Sequence, residues 1–143
     1  MHLDTSVGYV LKRAAAALRT AMEEALRPLH LTVTQYACLE LLGQRPGLSA
    51  AELARGVFVT RQSMQSVLQG LEERGLLSRP GSAPVGRALP TDLTPAGRTA
   101  LAAASRAVAE VEEAMIAGLS PAARHRLQAD LAGCADALGR DAS

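Results

Sequence analysis

Aromatic side chains are nearly missing from these 143 residues, which hold no Trp, two Tyr and one Phe. With 48% hydrophobic residues, the core must therefore be aliphatic, built from Leu, Ala and Val. Cysteine is also scarce. Cys38 and Cys134 lie far apart with no CxxC or Cys/His spacing, which argues against a disulfide framework or a zinc site. Two buried free thiols in a reducing compartment are expected. No charge of one sign dominates. Fifteen Lys and Arg stand against 14 Asp and Glu, a formal net charge of +1, which excludes a generally sticky polycation. No apolar run approaches the length that spans a bilayer, and MHLDTSVGYVLKR lacks the pattern of a signal peptide. The expected setting is cytoplasmic, with no membrane partner.

Catalytic patterns are lacking too. His2, His30 and His125 are scattered, and there is no H-E-x-x-H, nucleophile elbow or phosphate loop. Glu112 and Glu113 are adjacent and point in different directions on a helix. The expectation is not an enzyme, with no metal and no cofactor.

What is present is helical periodicity. From Asp4 to about Leu29, apolar residues recur at Val7, Leu11, Ala14, Leu18, Met22 and Ala25, one stripe of a long helix. Asp4, Thr5 or Ser6 can cap it, and Pro28 helps close it. Thr32 and Gln35 form a capping box for a helix through Leu42, with Gly43 placed to end it in a left-handed turn. RPGLS reads as a loop. Ser49 and Glu52 open a very short helix to about Arg55, broken by Gly56-Val57-Phe58-Val59. Thr60 caps the next helix, which Gly75 ends. Two helices joined by a tight turn make a helix-turn-helix. Segments 76–79 and 87–93 around a Pro/Gly/Ser loop then predict a β-hairpin, with Pro90 restricting it to a two-stranded ribbon. A hairpin after a helix-turn-helix is a wing. Thr94-Pro95 starts a helix to about Ala117, and Ser120-Pro121 starts a last one ending near Leu138.

The helix after Thr60 has an unusual polar face. Met64, Val67, Leu68 and Leu71 share one arc, and Gln62, Gln65, Ser66 and Gln69 fall opposite, with Ser63 at the flank. A glutamine amide donates and accepts at once, so it can pair bidentately with an adenine edge. Thr60 and Arg61 stand at the helix start, where free N–H groups and a cation suit a phosphate. Between Ser49 and Arg98, six Arg face four acidic residues, a mild local positive excess.

These segments resemble the MarR family of winged helix-turn-helix regulators. The likeness spans about Val7 to Leu138 and rests on LTVTQYACLELL, LSAAELARGVFVTRQSMQSVLQGLEERGLLSR and GRALPTDLTPAG. It implies a mainly α fold with a small β-hairpin. Residues 32–98 would form the winged DNA-binding domain, and residues 1–31 and 99–143 a helical dimerisation region. It further implies a homodimer on a pseudo-palindromic operator of double-stranded DNA, acting as a ligand-responsive repressor. Thr60, Arg61, Gln62, Ser63, Gln65, Ser66, Gln69 and Arg87 are the expected DNA contacts. Arg13, His30 and Tyr36 are the candidates for a small-molecule effector. The family's wing usually carries an Asp where this chain has Val85, and the tip PGSAPVG has no basic residue. That uncharged wing motivates the alternative, a winged-helix dimer serving as a protein-interaction scaffold.

Overall fold

The computed structural model describes residues 2–79 and 90–139. Six helices and one small sheet follow in the order α1 (Val7–Leu26), α2 (Val33–Gln44), α3 (Ala50–Gly56), α4 (Arg61–Glu73), β1 (Leu77–Ser78), β2 (Asp92–Leu93), α5 (Pro95–Ile116) and α6 (Pro121–Leu138). The chain forms two compact units, residues 1–111 and 112–143.

In the first unit, short polar side chains set the helix starts. Ser6, the last of the three residues able to cap the first helix, accepts the Tyr9 N–H at 3.5 Å, while Leu3–Thr5 form a separate 3-10 turn. Both expected capping boxes are present. Gln35 N–H donates to the Thr32 hydroxyl at 3.0 Å and the Gln35 side chain accepts from Thr32 N–H at 2.9 Å. Glu52 N–H and Ser49 Oγ meet at 3.2 Å, with the return bond at 3.1 Å. The Ser49 N–H, and then its hydroxyl, hold the Glu52 carboxyl below the usual range. Such a cap is worth about 1 kcal/mol.

The role of glycine differs from expectation at one position. Gly43 lies inside α2 rather than ending it, and Gly47 (φ 86°) makes the left-handed turn beyond. A Cβ at Gly43 would come within 2.7 Å of Leu101 Cδ2, so that leucine side chain would have to shift. Between α3 and α4, Gly56 is the last helical residue, and the left-handed residue is Phe58 (φ 62°). A non-glycine residue in that region costs roughly 1–2 kcal/mol. Gly75 (φ 73°) does end α4 as expected. Leu76 N–H donates to Leu71 O at 3.0 Å and Gly75 N–H to Glu72 O at 2.9 Å, the paired bonds of a Schellman motif.

The core is aliphatic, as the lack of aromatics requires. Leu26, Leu39, Leu42, Leu53, Met64, Leu68, Leu71 and Leu77 are fully buried, with Ala104 and Val108 of α5 packed among the same cluster. Cys38 is buried there too, and burial pushes its thiol up to about 12, so it stays protonated at neutral pH. Cys134 is exposed on α6, which corrects the expectation that both thiols are inside.

The β1–β2 pair is antiparallel, with Leu77 opposite Leu93 and Ser78 opposite Asp92. A further bridge joins Thr91 to Leu48, in the segment read as a plain loop. Thr91 N–H donates to Leu48 O at 3.1 Å and Gly47 N–H to Thr91 O at 3.0 Å. One isolated bridge leaves no alternation in the sequence to recognise.

In the second unit, Ser120 caps α6 by accepting Ala123 N–H at 3.1 Å. Arg124 braces its start, forming a bidentate pair with Glu113 at 2.9 and 3.0 Å and donating to Leu119 O at 3.1 Å. Among the described residues, no helix is long and apolar enough to cross a membrane.

Candidate nucleic-acid interface

The helix-turn-helix is built from α3 and α4, and α4 sits on the core through Met64, Leu68 and Leu71 with Val67 half-buried. Burial of that stripe turns the other side outward by helical geometry alone. Thr60, Arg61, Gln62, Ser63, Gln65, Ser66 and Gln69 are all exposed. The structure therefore brings seven of the eight sequence-derived candidates to one helix end and face. The eighth, Arg87, lies outside the described residues, as do Val85 and the wing tip.

These side chains are not equally available. The Thr60 hydroxyl caps α4, accepting Ser63 N–H at 3.0 Å and donating to Ser63 Oγ at 2.9 Å. Arg79 donates to Gln65 Oε1 at 3.2 Å and pairs with Glu72 at 3.4 Å, so it braces the first residue after β1 against α4. Among the described residues, the Gln65 amide nitrogen has no side-chain partner. Gln69 donates to Glu73 Oε1 at 3.4 Å, which leaves its carbonyl oxygen. Among the described residues, Gln62 has no side-chain partner and presents both ends of its amide. Spacing on the sequence ranks the glutamines alike; the tertiary contacts of Arg79 separate them.

A second feature lies where α1 gives way to α2. Arg27–Leu29 form a 3-10 turn, and His30 (φ 57°) is left-handed, with its N–H on Arg27 O at 2.9 Å. This reversal opens a cavity of about 460 Å³ lined by Arg19, Glu23, Arg27, His30, Leu31, Thr32 and Val33. Arg19 Nε lies 3.1 Å from Glu23 Oε1, which offsets one of the two guanidinium charges. Arg27 supplies the remaining positive charge, and Leu31 and Val33 supply apolar wall.

Of the three effector candidates, His30 lines this cavity, whereas Arg13 and Tyr36 are not among its lining residues. Arg13 is exposed on α1. Tyr36 donates its hydroxyl to Glu40 at 3.4 Å, in a cluster where Ser105 and Gln44 also donate to that carboxylate at 3.0 and 2.8 Å. Sequence reading missed Arg19 and Arg27. They are eight residues apart on and just after a helix, a spacing that carries no signal until the chain turns at His30. It also missed Arg74, whose Nη1 donates to His30 O at 2.7 Å across 44 positions. That bond ties the C-terminal end of α4 to the rim of the cavity.

Among the described residues, no group of three or more His, Cys, Asp or Glu could hold a metal ion. The geometry is that of an exposed polar helix tied, through the Arg74–His30 hydrogen bond, to a mildly cationic cleft.

The MarR family profile matches residues 30–88. The HTH-type transcriptional repressor Rv2887 of Mycobacterium tuberculosis is 47% identical over 113 residues, 79% of this chain and 81% of that protein. The crystal structure of Rv2887 in complex with DNA is similar with a TM-score of 0.78 at 37% identity, covering 91% of this chain and 98% of the other. Its complex with salicylic acid gives 0.74 at 39% identity, covering 91% and 96%.

Proposed function

The chain belongs to the MarR family of DNA-binding transcriptional regulators, and from that premise we propose that it is a ligand-responsive repressor in which α4 reads the bases. It acts as a homodimer on a pseudo-palindromic operator, so two copies of α4 enter successive major grooves. The observation that carries this reading is the exposed Gln62, Gln65, Ser66 and Gln69 row, fixed by the buried Met64, Leu68 and Leu71 behind it.

Arg61 and the free N–H groups at the start of α4 hold a phosphate, which positions the helix without informing it of sequence. The glutamines then discriminate by base-edge hydrogen bonds. Support for a dimer comes from apolar side chains left uncovered on the outer helices. Val7, Val10 and Leu11 are exposed on α1, Met115 on α5, and Leu127 and Leu131 on α6. Such surface on several helices marks a protein interface. The test is selection of duplexes from a random pool, followed by footprinting and titration across salt. A pseudo-palindromic footprint and a negative slope of log affinity against log salt are expected. No preference over random DNA, or a slope near zero, overturns the reading and leaves a scaffold.

The effector site is the cleft beside His30. Its mixture of apolar wall and net positive charge suits a small aromatic carboxylate, the class to which the salicylic acid bound by Rv2887 belongs. Arg27 and Arg19 meet the carboxylate, and a charge-assisted bond of about 1.5–3 kcal/mol makes each worth roughly 10- to 150-fold in affinity. Arg27→Ala is therefore expected to weaken salicylate binding by at least about tenfold, read by calorimetry, with operator affinity retained. Equal affinity in the variant removes Arg27 from the site.

Arg74 transmits the effect. A ligand wedged beside His30 shifts the backbone whose carbonyl Arg74 holds, and so moves the end of α4. Arg74→Gln is expected to bind both operator and salicylate, while salicylate no longer releases the operator. Undiminished release in this variant rules out the His30–Arg74 bond as the link.

A further inference from the structure

Phe58 is the single phenylalanine of the chain, and it is 92% exposed. It stands in the turn between α3 and α4, two residues before the Thr60 cap, so its Cα lies within about 7 Å of the Cα of Thr60. The turn drives it outward. Val57 and Val59 on either side pack against the core, and their N–H groups donate to Leu53 O and Ala54 O, each at 3.0 Å. The left-handed backbone at φ 62° then leaves the intervening side chain pointing to solvent. Glycine or asparagine would take that conformation with less strain and expose no apolar ring. The position is thus unfavourable twice over in the isolated chain, and strain of this kind gathers at sites of function.

The nature of the occupant follows from where the other exposed apolar residues are. Leu3, Val7, Tyr9, Val10, Leu11, Met115, Leu119, Leu127, Leu131 and Leu138 all belong to the terminal segments. Among the described residues of 32–98, Phe58 is the single large hydrophobic that stands exposed. A protein partner needs a contiguous patch, which one ring does not make. The C5-methyl group of a thymine, presented in the major groove, needs a single apolar side chain. Phe58 also stands in the turn that leads into the end of α4 where Arg61 and Gln62 are exposed.

We infer that Phe58 is a specificity-determining residue that packs its ring on a thymine methyl at the edge of the base-reading surface. The inference rests on the reading of α4 as the element that enters the groove. It adds an apolar contact to a set of polar ones, and it asks for a thymine in each half-site.

The test uses the full-length protein and an operator selected from a random duplex pool. Phe58→Gly relieves the left-handed strain while removing the ring. Its thermal midpoint is expected to be equal to or above that of the wild type, with operator affinity lower by roughly a factor of ten. Each operator thymine is then replaced in turn by deoxyuridine, which keeps the base pair and deletes the methyl. Wild type is expected to lose affinity at one position per half-site, and Phe58→Gly to be indifferent there. Unchanged operator affinity in Phe58→Gly overturns the inference, as does an equal uracil penalty in both proteins at every position. A lowered midpoint would mark Phe58 as a structural residue and equally overturn it. Failure of the wild type to prefer the selected operator is a different outcome, and it removes the reading of α4 itself.

Discussion

Gln62→Ala is expected to cost about 1–3 kcal/mol on the operator, a loss of roughly 5- to 150-fold, with almost no loss on random DNA. Among the described residues, Gln62 has no side-chain partner, so a bidentate contact to a base breaks no existing bond. The residue is exposed on the first turn of α4 and carries no charge, so the salt slope should stay as in the wild type. Arg61→Ala should behave oppositely. It should weaken operator and random DNA alike and reduce the slope by about one. Gln65→Ala should cost less base discrimination than Gln62→Ala, because Gln65 already accepts from Arg79 at 3.2 Å. Titrations of the three variants on operator and random duplexes at several salt concentrations separate these effects. A Gln62→Ala protein that loses equally on both DNAs would show that this glutamine touches backbone rather than base.

The largest stability loss is expected at Gly97. This buried residue in the first turn of α5 faces the corner between α4 and β1, and a Cβ there would collide with the carbonyl oxygen of Leu76. The same oxygen accepts Thr94 N–H at 3.1 Å, while the Thr94 hydroxyl donates to Gly75 O and accepts Gly97 N–H at 3.0 Å. An added methyl must therefore push the start of α5 away from backbone, which cannot rotate aside as a side chain does. Gly97→Ala is expected to destabilise by roughly 3 kcal/mol, lowering the thermal midpoint by about 10 °C.

Gly70 is the matched control. A Cβ there meets nothing within 4 Å, so close packing does not account for this glycine. Gly70→Ala should instead stabilise α4 by about 1 kcal/mol. Urea denaturation of the two variants checks both signs. A Gly97→Ala protein within about 1 kcal/mol of wild type would mean that the α5–β1 corner yields more readily than close-packed interiors do.

Several parts of this architecture were legible because their causes are local. Ser49, Thr32, Thr60 and Ser120 announce helix starts, since capping needs a short side chain a few residues from the N–H it satisfies. The polar face of α4 was legible because Met64, Leu68 and Leu71 recur with the helical period. Gly43 was misread as a helix-ending glycine. It lies inside α2 beside the Leu101 side chain from a distant position, and an in-helix glycine looks the same in sequence as a turn glycine. The Leu48–Thr91 bridge and the cavity escaped for the same reason, as each joins segments whose spacing has no period.

The amino-acid sequence by itself determined the helices, their caps, the polar face of α4 and the family. These depend on contacts within one or two turns, where spacing and geometry are equivalent. Tertiary structure decided which of those polar side chains are available, because Arg79 reaches Gln65 and Glu72 only after the chain doubles back through Gly75. It also decided that Arg19 and Arg27 share a cleft with His30, that Arg74 ties this cleft to α4, and that Phe58 stands outside. Contacts across many residues follow from how the leucine faces pack together, and no local pattern encodes which side chain a given cation will meet.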